Sequence, residues 1–175
     1  REAYEVTPEA DVAIAVTQAQ LQMVRGQFEQ ALATLTRLRK DHPKHLYALK
    51  LMSQVYLRLE DWARLLELLP ELRRQNALRE DELQALERRV HAALLAQAGQ
   101  RLAAADSDPA SLVIAAWERM PTRLREDPEL IEAYALQLRG HSREEMAEQV
   151  LRAALLQQFD ERLANLYGLV RGKDC

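Results

Sequence analysis

Two histidines frame a proline and a lysine at His42-Pro43-Lys44-His45, the densest group of side chains here that could hold a metal or move a proton. Imidazoles three residues apart can share a ligand, but Pro43 breaks any helix between them, and no carboxylate or cysteine stands at ligand spacing nearby. The segment reads as a turn with solvated histidines. His91 lies beside Arg88 on a helix flank and His141 in a turn, neither with a partner pattern. Gly26, Gly99, Gly140, Gly168 and Gly172 are isolated near helix ends, where they cap helices rather than cradle a phosphate. There is no metalloprotease helix motif, no serine elbow and no glycine-rich dinucleotide fingerprint. The carboxylate pairs Glu60-Asp61 and Glu144-Glu145 stand at helix starts, where they complement the helix dipole. The chain therefore reads as non-enzymatic, with no resident metal or cofactor.

Arg37, Arg39, Lys40, Lys44 and Lys50 face only Asp41 in their stretch, a local basic spot. It lacks the length and the stacking aromatics that nucleic-acid binding asks for, so no nucleic-acid partner is expected. The net charge of -3, from 24 basic and 27 acidic residues, gives no broad attraction to polyanions either. Cys175 is the single cysteine, which excludes an internal disulfide and any cysteine-based metal site. No apolar run approaches the roughly 18 residues of a membrane span. Because the chain opens at Arg1 rather than at a methionine, it reads as an excised soluble piece.

Few glycines and aromatics beside abundant Ala, Leu, Gln, Glu and Arg point to an all-α chain, since unbranched side chains lose little freedom in a helix. Thr7-Pro8, Asp108-Pro109 and Asp127-Pro128 each place a capping oxygen before a proline at the first helical position. Ser142 with Glu145 reads as a capping box. Helices are expected near 8–24, 27–41, 44–59, 61–76, 80–98, 109–119, 128–140, 143–158 and 160–169. Short links make consecutive helices antiparallel. The polar stretch Gln97 to Pro109, with Asp106 and Asp108 as helix stops, frames a break between a part at 1–98 and a part at 99–175. Pro70 is expected to kink its helix near Leu66 without ending it, because Leu72 continues the apolar face.

The stretch GQFEQALATLTRLRKDHP, from Gly26 to Pro43, recurs. At one constant offset Gln27-Phe28 meets Asp61-Trp62, Ala31 meets Leu65, Leu35 meets Leu69 and Leu38 meets Leu72. Small Ala19 and Ser53 precede Ala31 and Leu65 by one and the same interval, and Ala135 precedes Ala147 by that interval in a third copy. Two helices in a period of about 34 residues are the tetratricopeptide repeat, TPR. Leu65, Gln22 and Ala77 depart from it, standing for a small residue, a tyrosine and a closing proline. The expected fold is about nine helices in antiparallel hairpins, stacked as a TPR-like right-handed superhelix.

In such an array the first helix of each hairpin lines a concave groove. The inward-facing candidates are Val16, Gln20 and Met23, then Lys50, Gln54, Leu57 and Arg58. Lys50, Gln54 and Arg58 share one face at i, i+4 and i+8, suited to polar or acidic groups of a partner segment. Trp62 and Trp117 lie on apolar faces and read as core.

The run HPKHLYALKLMSQVYLRLEDWARLLELLPELRRQNALREDELQALERRVHAALL, then Trp117-Glu118-Arg119-Met120-Pro121, Asp127-Pro128 with Tyr134-Ala135, and Phe159-Asp160-Glu161-Arg162-Leu163, resembles the HemY family of bacterial TPR proteins encoded with haem-biosynthesis genes. The resemblance implies a TPR region on the cytoplasmic side of the bacterial inner membrane, with membrane contact through segments absent from this sequence. It implies a scaffold whose partners are other proteins, among them haem-biosynthesis enzymes, and it carries over no catalytic residue. The alternative is a haem- or porphyrin-binding carrier, with His42, His45 or Tyr47 near the ligand's carboxylates or metal. A saturable, histidine-dependent Soret shift separates the two.

Overall fold

The computed structural model describes residues 7–100 and 108–172; Asp106 and Cys175 lie outside them. The described residues form ten α-helices and no strand: α1 (Pro8–Val24), α2 (Phe28–Asp41), α3 (Leu46–Arg58), α4 (Trp62–Arg74), α5 (Glu80–Gln100), α6 (Pro109–Glu118), α7 (Thr122–Arg125), α8 (Pro128–Gly140), α9 (Glu144–Gln157) and α10 (Glu161–Arg171). Nine of them match the expected helices to within two residues at each end. The tenth, α7, is one turn, too short to show a period, and it is held by buried Leu124. The helix through Pro70 continues to Arg74.

The backbone divides into two compact units, Arg1–Gln84 and Ala85–Cys175. In the first, α1 packs on α2, α2 on α3 and α3 on α4, and α1 also touches α3. Ala19 and Ala31 are fully buried, as is Leu65, and Ser53 is buried at the matching repeat position. A small side chain at each crossing lets the two backbones approach, and Leu65 takes the role with a larger, wholly buried side chain. Gln22, where the repeat prefers tyrosine, accepts a hydrogen bond from the Thr34 hydroxyl at 2.9 Å, so a polar link joins α1 to α2 there.

In the second unit α8, α9 and α10 pack on one another and α6 and α7 pack on α8. Its core gathers Val113, Leu124, Leu130, Tyr134, Leu138, Leu151, Leu163 and Leu166 around Ala135 and Ala147. The small residues of the third repeat copy are thus buried like those of the first two. Trp117 stacks on Tyr134 with ring centroids 4.3 Å apart and planes 4° from parallel. Trp62 is buried, and Trp117 is half-buried against the core.

The turns carry the repeat as clearly as the core does. Gly26, Glu60, Asn76 and Ser142 have φ of 73°, 53°, 52° and 57°. After each one, the next residue's N–H reaches back five residues: Gln27 to the Gln22 carbonyl, Asp61 to Tyr56, Ala77 to Leu72 and Arg143 to Leu138, at 2.8 to 3.0 Å. Each left-handed residue itself bonds three back, the double closure of a Schellman motif. Gly26, Glu60 and Ser142 each follow their hairpin's small residue by seven positions.

That geometry corrects the reading of Ser142. Its side chain does not cap α9; the helix begins at Glu144 behind Arg143, which makes no side-chain capping bond. Closing α8 takes Ser142 as its left-handed residue, so its backbone cannot also adopt the extended shape of a capping residue. The other expected N-caps hold, but of the glycines read as caps Gly99 and Gly168 lie inside α5 and α10. Thr7, Asp108 and Asp127 accept from Ala10, Ala110 and Glu129 N–H groups, and Asp61 both follows the α3 turn and accepts from Arg64 N–H.

Candidate protein-binding face

Helix α3 is the most enclosed element of the first unit. Ala48, Leu49, Leu51, Met52, Ser53, Val55 and Tyr56 are buried, which leaves one strip: Leu46, Tyr47, Lys50, Gln54, Leu57 and Arg58. Positions 47, 50, 54 and 58 fall on one line because 3.6 residues make a turn. Gln54 and Arg58 are exposed, and Lys50 and Leu57 are half-buried. Neither Lys50 nor Arg58 forms an ion pair among the described residues.

The same strip meets α1. Gln20 is exposed and its amide donates to the Tyr47 hydroxyl at 2.7 Å, while Val16 and Met23 lie half-buried on the flank of α1. The bond sets Gln20 of α1 beside Tyr47, at the start of the strip on α3 that carries Lys50, Gln54 and Arg58; Met23 and Leu57 are half-buried. Tyr47 belongs to this strip, whereas sequence reasoning gives it a role only beside a porphyrin. Its spacing of three from Lys50 and seven from Gln54 is the signal that could have found it.

The histidines do other work. His45 caps α3, its Nδ1 accepting from Ala48 N–H at 3.0 Å. His42 is half-buried where α2 ends. Among the described residues no group of three or more His, Cys, Asp or Glu is placed to hold a metal. The basic spot is smaller than its composition: Arg39 turns inward to an ion pair with Glu71 at 2.5 Å, bridging α2 and α4, and also points Nη1 at Met52 Sδ. Arg37, Lys40 and Lys44 stay outside that pair, and all three are exposed.

In the second unit Glu87 is buried and held by the Arg123 guanidinium through two hydrogen bonds, 2.7 and 3.0 Å. One turn along α5, burial pushes His91 below the ordinary imidazole range; Glu87 opposes this and Arg123 adds to it. Asp108 is held below the usual carboxylate range, first by Arg143 and then by the Ala110 N–H it caps. Burial, with Glu118 nearby, raises the Tyr134 phenol.

Residues 1–64 match the family described as the Tetratricopeptide repeat protein 21 ARM repeat. The chain is similar to Protein HemY of Escherichia coli strain K12 and of Shigella flexneri, each 26% identical over 152 residues, which is 87% of this chain and 37% of theirs. It thus spans little more than a third of the length of these curated relatives. Among solved structures, the MamA RS-1 ArsTM double mutant is similar in fold, with a TM-score of 0.50 and 14% identity over 94% of this chain and 85% of that one. The chain has a TPR-like repeat fold, that of a protein-interaction scaffold, and repeat scaffolds are typically non-enzymatic. Among the described residues no helix is long and apolar enough to cross a membrane.

Proposed function

We propose that the chain is the TPR region of a membrane-anchored bacterial scaffold that captures a polar or acidic segment of a partner protein along the band of Gln20, Met23, Lys50, Gln54, Leu57 and Arg58. The observation that carries this reading is the burial pattern of α3. Seven of its residues are enclosed, and the strip left open holds two cations without an ion pair and two primary amides, counting Gln20 across the Tyr47 bond. Such a strip offers N–H donors and positive charge to an acidic peptide while the buried side of the helix keeps it rigid.

Beside the likeness to HemY, we further propose that the partner is an enzyme of late haem synthesis and that the domain lies on the cytoplasmic side of the inner membrane. The test is capture of such enzymes from a bacterial membrane extract by the purified protein. Replacing Lys50, Gln54 and Arg58 together by alanine should reduce capture about tenfold or more, with binding of the parent weakened by salt. Capture that is unchanged in the triple variant sinks the reading.

A further inference from the structure

Helix α1 has an apolar side that the described residues leave uncovered. Ile14, Leu21 and Val24 are 60%, 47% and 85% exposed, and Val24 is the most exposed large apolar side chain among the described residues. At about 100° per residue these three stand, with Ala10 and Thr17, on the side of α1 opposite fully buried Ala19. The binding strip proposed above uses Gln20 and Met23 of this helix and none of these residues. Thr17 suits an apolar surface, because its hydroxyl already donates to the Ala13 carbonyl at 2.8 Å.

From Ala10 through Ile14, Thr17 and Leu21 to Val24 the steps are 4, 3, 4 and 3 residues, the alternation of a seam between two helices. The positions flanking such a seam decide which helix it accepts and in which direction. One flank carries Asp11, Gln18 and Arg25, the other Ala13 and Gln20. On the first flank Asp11 and Arg25 stand at equal distances either side of Gln18, with opposite charges. An antiparallel second copy of α1 therefore sets Asp11 against Arg25 of that copy, twice, whereas a parallel copy sets Arg25 against Gln20 and leaves Asp11 without a cation. Asp11 and Arg25 are exposed, and neither forms an ion pair among the described residues. Beside Asp11, the groove between α1 and α2 also holds Asp41 and Arg37, so an incoming guanidinium meets two carboxylates against one cation.

We propose that two copies of this chain associate through α1, antiparallel about a two-fold axis near Gln18. Ile14 packs on Val24 of the second copy and Leu21 on its Thr17, and an Asp11–Arg25 pair closes each end. A contact about a two-fold axis must be its own complement, and this face is. A lipid surface fits less well, because the flanks of the seam carry a single cation, Arg25. An isolated helix of this length is marginal in water, but α1 is already held by α2 and α3, so pairing costs no helix ordering. With 17 residues in α1 the seam is about 25 Å long, and the dimer is weak and concentration-dependent.

The test is sedimentation equilibrium of the purified chain from about 10 μM to 1 mM. The unaltered protein should show a dimer whose share rises with concentration. Val24→Glu should leave a monomer throughout while its thermal melt stays close to that of the parent, since the altered side chain is at the surface. Asp11→Arg alone and Arg25→Asp alone should each weaken the dimer about tenfold, because the axis turns two attractive pairs into two repulsive ones. An equimolar mixture of these two variants should associate about as tightly as the parent, since every pair is then Arg with Asp. A parent that is monomeric at every concentration overturns the proposal, whatever else α1 then binds. A dimer that survives Val24→Glu, or a mixture no tighter than either variant alone, overturns it as well.

Discussion

Gly26 and Glu60 occupy the same turn of successive repeats, one full period apart, and their exchange predicts stability changes of opposite sign. At Gly26, φ is +73° and a Cβ built on its backbone meets nothing within 4 Å. Gly26→Ala therefore adds no clash, only the cost of a left-handed L-residue, about 1–2 kcal/mol. Restricting the unfolded chain returns about 0.4–1 kcal/mol, so the net loss should be about 0.5–1 kcal/mol. Glu60, at φ 53°, already bears that cost with an exposed side chain. Glu60→Gly should raise stability by a similar amount, the same two terms reversed. For a domain of this size either change moves the melting temperature by about 1–4 °C. Urea unfolding followed by helical circular dichroism measures both, with an unchanged m-value as the sign that stability has changed without a change in the surface exposed on unfolding. A neutral Gly26→Ala, or a Glu60→Gly that destabilises, would refute the assignment of these residues to one structural position.

Other outcomes follow from single features. The alanine triple at Lys50, Gln54 and Arg58 should change stability by less than about 1.5 kcal/mol in total, since each position is exposed or half-buried, so its effect on capture can be read as a binding effect. Ala135→Leu should cost about 1–3 kcal/mol or more by overpacking the α8–α9 crossing, while Leu65→Ala should cost about 2–5 kcal/mol by emptying a fully buried site, although both residues hold small-residue positions of the repeat. Because burial lowers the His91 pKa from its ordinary 6.5, the unfolded chain binds more protons below that pH. Its contribution is present above about pH 6.5 and is lost as pH falls through the lowered folded value; His91→Gln should flatten the melting-temperature profile between pH 7 and 5.

What could be read from the chain alone was local. Thr7, Asp108 and Asp127 stand before prolines, and a cap needs only the three or four residues that follow it, so those helix starts were legible. The constant repeat offset and the small residues at 19, 31, 53, 135 and 147 were legible because a repeat imposes the same packing demand at each copy. Ser142 could be read as a cap or as a left-handed turn residue, and only the closure of α8 onto Leu138 and Arg139 decided between them. Tertiary packing alone drew Arg39 out of the basic spot to Glu71, 32 residues away, and set Gln20 against Tyr47 across 27. Helical order is written in neighbours and periods, whereas a binding surface is made of what the packed helices leave uncovered, and that depends on every contact at once.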